Sequence, residues 1–169
     1  MGVPGLAPCG TGEPSEPECN PLYDEAVVIR AAVATALVAA GWDPGIEQVI
    51  SHGPAAVQLP NCDQLDVWVS SVTRIPLLQG QQERLEATYT VRLSIGCWPT
   101  VAEINGEAVI PDGVTQEYPA KWSYAWATAM FDALLALKPH CKKKTFAVGP
   151  LIPGNPQGGC ASWTATVKW

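Results

Sequence analysis

The longest regular pattern in the chain is an alternation of apolar and polar residues from Leu85 to Cys97. It predicts a strand that is buried on one face. At about 3.3 Å per residue the strand would span roughly 43 Å, whereas a single globule of this length is about 40 Å across. We therefore expect part of the strand to protrude as an arm, which another chain can pair with.

A second strand is predicted from Leu65 to Ile75, where β-branched and aromatic residues alternate with polar ones and Pro76 ends the pattern. A polar connection then leads into the long strand, so the two strands are predicted to form an antiparallel hairpin. The protruding arm is thus predicted to be the end of this hairpin. The predicted inward positions are Leu65, Val67, Val69 and Val72, and the predicted tip residues are Gln79, Gln81, Gln82 and Glu83.

Two helices flank these strands. The first is predicted from Pro21 to Ala40, with Asn20 as its N-cap and Gly41 as its stop. The second is predicted from about Ala120 to Leu137, and its apolar residues lie almost all round the helix. We expect such a helix to be sandwiched between the sheet and another surface.

The remaining segments are less regular. Residues 46–51 are a weak strand candidate, and residues 99–118 are predicted to be a long loop with a functional or interfacial role. Two further extended pieces, residues 146–152 and 160–169, are separated by the Pro- and Gly-rich residues 153–159. This arrangement predicts a second, looser hairpin with a turn at its centre.

These elements define an α+β protein within the broad α/β class. Its sheet is expected to be mostly antiparallel with a long hairpin, and two helices pack on it in the order α-β-β-β-α-β-β. Residues 20–169 are predicted to form one domain. Residues 1–19 are rich in Pro, Gly and Glu, so we expect an extended or disordered N-terminal arm there.

Composition favours an assembly subunit over a nucleic-acid-binding protein. Only 15% of residues are charged and 47% are hydrophobic, which leaves apolar surface for an interface. The net charge of −6 argues against a groove that grips phosphates. The one basic cluster, Lys142, Lys143 and Lys144, suits the end of a helix. No apolar run is long enough to span a membrane, and the N-terminus lacks the pattern of a secretory signal.

Six cysteines do not by themselves establish a disulfide framework, because no secretory signal accompanies them. Reduced thiols are the expectation. In an oxidising environment, Cys9 and Cys19 in the N-terminal arm and Cys141 and Cys160 near the ends of elements could still pair.

The sequence offers no catalytic or ligand-binding motif. The two histidines, His52 and His140, lie in no recognisable nucleophile or metal-binding frame, and no phosphate-binding glycine motif occurs. We therefore expect no enzyme activity, no cofactor and no metal. The seven tryptophans are the remaining unusual feature. Core positions are predicted for Trp122 and Trp126, and interface positions for whichever of Trp68, Trp98, Trp163 and Trp169 are exposed.

The order and character of these elements resemble the tail terminators and related neck proteins of long-tailed, siphovirus-like bacteriophages. The resemblance covers residues 20–169 and rests on the opening helix from Asn20, the strands Leu65–Ile75 and Leu85–Trp98, and the ending Gly158–Val167. That ending is similar to neck proteins of actinobacteriophages. The Pro-rich head and the 99–118 segment depart from compact members of the family.

The resemblance implies a structural virion protein that forms a ring of six subunits on the head-proximal end of the tail tube. Such a ring ends tube polymerisation and joins the tail to the head connector. Its partners would be further copies of itself, the major tail tube protein and the stopper or connector protein, while DNA passes through the lumen without specific binding. It would assemble in the host cytoplasm and reside in the virion neck.

On this hypothesis the polar positions of the long strand and the hairpin tip form the subunit interface, namely Glu86, Thr88, Thr90, Arg92, Ser94, Gln81 and Gln82. The tail or connector interface is assigned to Lys142, Lys143, Lys144, Trp163 and Trp169. Charge reversal at Arg92 or proline at Thr90 is then expected to break assembly and leave a folded monomer. Two alternatives stay open: another connector ring such as the stopper, and a small disulfide-containing binding module.

Overall fold

The computed structural model describes residues 22–43, 45–54, 63–75, 84–96, 102–137, 146–157 and 160–169. They form an α+β fold with two helices, a mixed six-stranded sheet and a separate two-stranded hairpin, which confirms the predicted fold class. The helices are α1 (Leu22–Ala39) and α2 (Gly113–Ala136). The strands are β1 (Glu47–Ser51), β2 (Gln64–Ile75), β3 (Arg84–Ile95), β4 (Ala102–Ile104), β5 (Glu107–Val109), β6 (Ala147–Val148), β7 (Ile152–Gln157) and β8 (Cys160–Lys168).

The long predicted hairpin is the centre of the sheet. Strands β2 and β3 pair antiparallel, β8 pairs antiparallel with the other edge of β3, and β6 and β7 both pair with the far edge of β8. Strand β1 pairs with β2 in parallel, so the sheet is mixed and not wholly antiparallel. The weak strand candidate at residues 46–51 is confirmed as β1.

Helix α1 lies against the β1–β2–β3 side of the sheet because it carries one continuous apolar stripe. Ala26, Ile29, Val33 and Leu37 recur at helical spacing and are all buried. Acidic residues in the first turn complement the positive end of the helix dipole. The predicted helix is confirmed to within one residue at its C-terminal end, while the predicted cap at Asn20 lies outside the described residues.

Helix α2 begins at Gly113, seven residues before the predicted start at Ala120. Asp112 caps it, because its side chain accepts a hydrogen bond of 2.7 Å from the Thr115 amide. Hydrogen bonds from the Thr115 side chain and amide lower the pKa of Asp112. The predicted start was too late because residues before Ala120 show no sustained apolar period, whereas the helix begins at Gly113 and continues through Pro119.

The predicted loop at residues 99–118 is also wrong. In addition to the first turns of α2, this segment contains the antiparallel hairpin of β4 and β5. Asn105 and Gly106 form its turn, and both have a positive φ, 54° and 83°. An Asn-Gly pair favours this conformation because Asn tolerates, and Gly readily adopts, the left-handed region. The dipeptide was therefore a signal in the sequence that could have predicted the hairpin.

The buried side of α2 differs from the predicted stripe. Ser123, Ala127, Met130 and Leu134 are buried, while Trp122 is exposed, so the core position predicted for Trp122 is wrong. Trp126 is half-buried and stacks on Trp42 with 5.5 Å between ring centroids. The small residues Ser123 and Ala127 lie on the inward side of α2, the helix that contacts α1 and β8.

The C-terminal strands replace the turn predicted at residues 153–159. Strand β7 runs through Gln157 and includes Pro153 and Pro156, which an edge strand tolerates because its outer N–H groups are unpaired. A Cβ at Gly149 or Gly154 would collide with the hydroxyl of Thr166 or Ser162 on β8. The glycines in this segment therefore allow close approach of two strands.

The core lies between the helices and the odd-numbered side chains of β3. Five of these, Ala87, Tyr89, Val91, Leu93 and Ile95, are buried together with their neighbours on β2, β8 and both helices. The Tyr89 hydroxyl donates hydrogen bonds to the Glu25 carboxylate at 2.5 Å and to the Leu22 carbonyl at 3.2 Å. This contact ties the first turn of α1 to the central strand.

Burial of the Tyr89 side chain, with further contributions from its hydrogen bond to Glu25 and the Glu25 charge, raises the pKa of this phenol far above its usual value. We expect Tyr89→Phe to lower the free energy of unfolding at pH 7 by about 1–3 kcal/mol, because the buried Glu25 loses a hydrogen-bond donor.

The pKa of the Tyr89 phenol in the folded protein lies above its value of about 10 in the unfolded chain. The stability of the wild type should therefore fall as pH rises above about 10.

Urea unfolding at pH 7 and pH 10.5 measures both effects. The exposed Tyr124 supplies a matched control, since Tyr124→Phe should change the free energy of unfolding by less than about 0.5 kcal/mol. Equal losses for the two variants would contradict the assigned role of Tyr89.

Candidate assembly surface

The outer edge of β2 lacks a strand neighbour over most of its second half. Strand β1 pairs with β2 only along Gln64–Trp68. From Val69 to Ile75 no strand among the described residues covers this edge. We call residues 69–75 the open edge. Since unpaired N–H and C=O groups in a row invite another strand, this edge can accept a partner chain.

The side chains of the open edge are also exposed. Every side chain from Ser70 to Arg74 is exposed, including Val72 at 45%. The ladder that joins β3 to β8 begins at Thr88, whereas the pairing of β3 with β2 continues from Thr88 back to Arg84. Because Ser70 to Arg74 expose side chains on both faces of β2, this part of the strand contributes little to the core of its own chain, which favours a role in contact with another chain.

A β-bulge sets the orientation of this part of β2. The register of β2 on β3 shifts between Val69 and Ser71, and the Ser70 hydroxyl donates a 2.9 Å hydrogen bond to the Thr88 carbonyl. The extra residue reverses which side chains face the helices. As a result Val72 pairs with Ala87 and shares the inward side, in agreement with its predicted inward position.

The exposed arm is shorter on the β3 strand than the sequence predicted. Ala87 is buried, and its backbone exchanges hydrogen bonds of 3.1 and 2.8 Å with Trp169. Glu86 is buried as well and forms a 2.7 Å ion pair with Lys168. Residues 168 and 169 at the C-terminal end of the chain thus cover Glu86 and Ala87 of β3, and the exposed side chains of the hairpin lie on β2.

The polar positions of β3 do share one face, the face opposite the helices, as the alternation requires. Three of the predicted interface residues, Glu86, Thr90 and Ser94, are however buried within the chain. Only Thr88 and Arg92 are half-buried. The interface assignment is therefore corrected for Glu86, Thr90 and Ser94, because neighbouring strands and contacts within the chain already enclose their side chains.

A buried ion pair organises this polar face. The Asp66 carboxylate is fully buried and accepts a 2.8 Å hydrogen bond from Arg92 Nε and a second one from Arg92 Nη2. Gln64 Nε2 donates to the same carboxylate at 2.5 Å. The Arg92 guanidinium also lies 5.7 Å from the centroid of the Trp68 ring. Arg92 is thus part of the folded chain, so its charge reversal is expected to destabilise the monomer as well as any assembly.

The two tryptophans assigned to the tail or connector interface occupy different environments. Trp169 is only 1% exposed and contacts Phe146 edge to face, which makes its ring a core element and rules out the predicted contact with a partner. Trp163 is half-buried and donates a 2.7 Å hydrogen bond to the Ser123 hydroxyl. Its ring therefore fixes α2 on the sheet.

Several predicted residues lie outside the described residues and receive no structural account: Gln81, Gln82, Lys142, Lys143, Lys144, His140 and the N-terminal segment 1–19. Of the six cysteines, only Cys160 is described, and it is disulfide-bonded. The expectation of reduced thiols is therefore wrong at Cys160.

A second exposed surface lies where the β4–β5 hairpin joins α2. Val109, Ile110 and Val114 are exposed, the last two at 72% and 78%. The hairpin strands pair with each other and have at most isolated contacts with the other described elements. Exposed aliphatic residues that cluster in this way mark a contact surface. Residues 109–114, with Glu107 and Glu117 beside them, are called the hairpin patch below.

The described His, Cys, Asp and Glu side chains form no metal-binding group. His52 is exposed at the end of β1, and no group of three or more His, Cys, Asp or Glu side chains among the described residues could hold a metal. Neither of the two described helices has the length and apolar character needed to cross a membrane. The open edge and the hairpin patch are the candidate functional surfaces because both expose side chains that suit contact with another chain.

No protein-family model matches this chain, and no curated protein is significantly similar to it.

Proposed function

We propose that this protein is a structural subunit of a ring at the head-proximal end of a phage tail tube. In this role it ends tube polymerisation and joins the tail to the head connector. The observation that carries the proposal is the open edge, seven β2 residues without proline and without a strand neighbour on their outer side in the described part of the chain. Five of them, Ser70 to Arg74, have exposed side chains. An edge of this kind favours strand addition by another chain.

A ring requires a contact between two different surfaces of the same subunit, repeated until it closes. The open edge and the hairpin patch are two such surfaces on one chain. The proposal also draws on the resemblance of residues 20–169 to phage neck proteins, which rests on the sequence alone. The net charge of −6 supports a lumen through which DNA slides, because an acidic wall does not hold phosphates.

The proposed partners follow from this role. Six copies would form the ring, the tail tube protein would contact one face and the stopper or connector protein the other. The finished ring would reside in the virion neck after assembly in the host cytoplasm. No cofactor or enzymatic step is part of the proposal.

A tube-growth assay tests the proposal. We expect the purified protein to bind one end of tubes formed by the cognate tail tube protein and to shorten tubes when it is present during growth. Val72→Lys is the loss-of-function variant, because it places a charge on the open edge. The side chain is exposed, so the free energy of unfolding should stay within about 0.5 kcal/mol of wild type. This variant should fail to cap tubes.

Tubes of unchanged length with no protein at their ends would contradict the terminator assignment. Binding to portal-side proteins without binding to tubes would favour the alternative connector ring. The disulfide at Cys160 is the one observation that favours the second candidate, a disulfide-containing binding module. A monomer with three disulfides and no affinity for tubes would support that candidate.

A further inference from the structure

We infer that the hairpin patch of one copy docks on the open edge of the next copy. This inference rests on the proposed function only for the existence of a ring, and it names the two surfaces that form each contact. Ser70 to Arg74 on the open edge and residues 109, 110 and 112–114 of the hairpin patch are exposed, while Val69 at the start of the open edge packs against the core.

The two surfaces match in polarity. Among the described side chains of the open edge, Val72 is an exposed aliphatic residue and Arg74 is an exposed cation. The hairpin patch carries exposed Val109, Ile110 and Val114. Burial of such aliphatic side chains between two copies removes apolar surface from water and favours association.

The two surfaces also match in charge. Residues 102–117 contain four acidic residues and no Lys or Arg, and among these Glu107, Asp112 and Glu117 are exposed. Residues 69–75 contain a single charge, that of Arg74. Opposite charges on two surfaces of one chain favour contact between different copies and set its register.

The backbone of the hairpin suits strand addition. Strands β4 and β5 form a sheet of only two strands, and an isolated two-stranded hairpin is marginally stable in water. Strand β5, Glu107–Val109, has the length to pair with part of the seven-residue open edge. Such pairing would add a strand from the next subunit to the sheet beside β2, which is the interaction that an open edge favours.

The junction between the hairpin and α2 is held in place before any partner binds. The side-chain Nε2 of Gln116 donates a 2.7 Å hydrogen bond to the Pro111 carbonyl, and the backbone N–H of Gln116 donates to the Asp112 carbonyl at 3.2 Å. Asp112 in turn caps α2 through Thr115. These contacts fix Ile110 and Val114 on a rigid support, which reduces the entropy cost of binding.

Charge exchange between the two surfaces tests the inference. We expect Arg74→Glu and Glu107→Lys each to raise the protein concentration at half assembly by about tenfold or more, because like charges then face each other. The double variant Arg74→Glu with Glu107→Lys should recover most of the wild-type assembly. Asp132→Lys, which makes the same charge change on an exposed part of α2 outside the patch, should assemble as wild type.

Assembly is measured by sedimentation velocity over a concentration series, with circular dichroism to show that each variant is folded. Wild-type assembly by both single variants would overturn the inference, as would a double variant no better than either single one or a wild type that stays monomeric. If the variants behave as expected but the wild-type ring leaves tail tubes unchanged, the inference stands and only the terminator role fails.

Discussion

Replacement of Asp66 by Ala is expected to lower the free energy of unfolding by about 3 kcal/mol or more. The reason is that the Arg92 guanidinium would lose the buried carboxylate that accepts two of its hydrogen bonds, and removal of one partner of a buried ion pair is strongly destabilising. Gln64 would lose its acceptor at the same time. For a domain of this size the loss corresponds to a fall in the melting temperature of roughly 6–12 °C.

Thermal unfolding of a double variant separates the ion pair from simple packing. Asp66→Ala combined with Arg92→Met removes both charges, and replacement of a buried pair by apolar side chains is often neutral. We therefore expect the double variant to recover most of the lost stability. A double variant less stable than Asp66→Ala alone would show that the pair is not coupled in the way the geometry indicates.

Replacement of Trp169 by Ala is expected to cost about 3–5 kcal/mol, the usual loss when a buried aromatic side chain is removed. The indole is 1% exposed, contacts Phe146 at 6.2 Å between centroids and lies beside the backbone pair with Ala87. The loss should appear in chemical denaturation as a lower midpoint with an unchanged slope.

The matched control is Trp122, which is exposed on α2. Trp122→Ala should cost less, about 1–2 kcal/mol, because the ring is 43% exposed and loses mainly its contact with Trp126 at 6.1 Å between centroids. If the two tryptophan variants lost similar stability, the assignment of Trp169 to the core would be wrong.

The two long strands and the first helix were predictable because their periodicities are strong. The alternation on β3 and the stripe on α1 each repeat often enough to determine the element type, and the structure shifts their described ends by at most two residues. The hairpin of β4 and β5 was missed for a different reason. Its strands are three residues long, too short to show a period, so only Asn105 and Gly106 indicated it.

The candidate surfaces were only partly predictable. Alternation places Thr90 and Ser94 opposite the core, but it does not reveal that a face of polar side chains is itself enclosed. Exposure depends on which strands lie on either side, and the sequence does not specify that β8 borders β3 while the end of β2 stays open. The proposed interface therefore moves from the polar face of β3 to the outer edge of β2.

This shift changes which variants test assembly. Arg92 is held by Asp66, and Thr90 lies on the central strand between β2 and β8, so charge reversal or proline at these positions is expected to unfold the chain. Val72 on the open edge is exposed and can be changed with little effect on the monomer. Variants at this position therefore report on assembly.

The central claim is that this chain forms a closed ring through two different surfaces of each subunit. The most direct test is the native mass of the purified full chain, measured by mass photometry and by sedimentation over a range of concentrations. We predict a single closed species of about six chains, which Val72→Lys converts into folded monomers. A strict monomer at every concentration, or an open-ended series of oligomers without a preferred size, would contradict the claim.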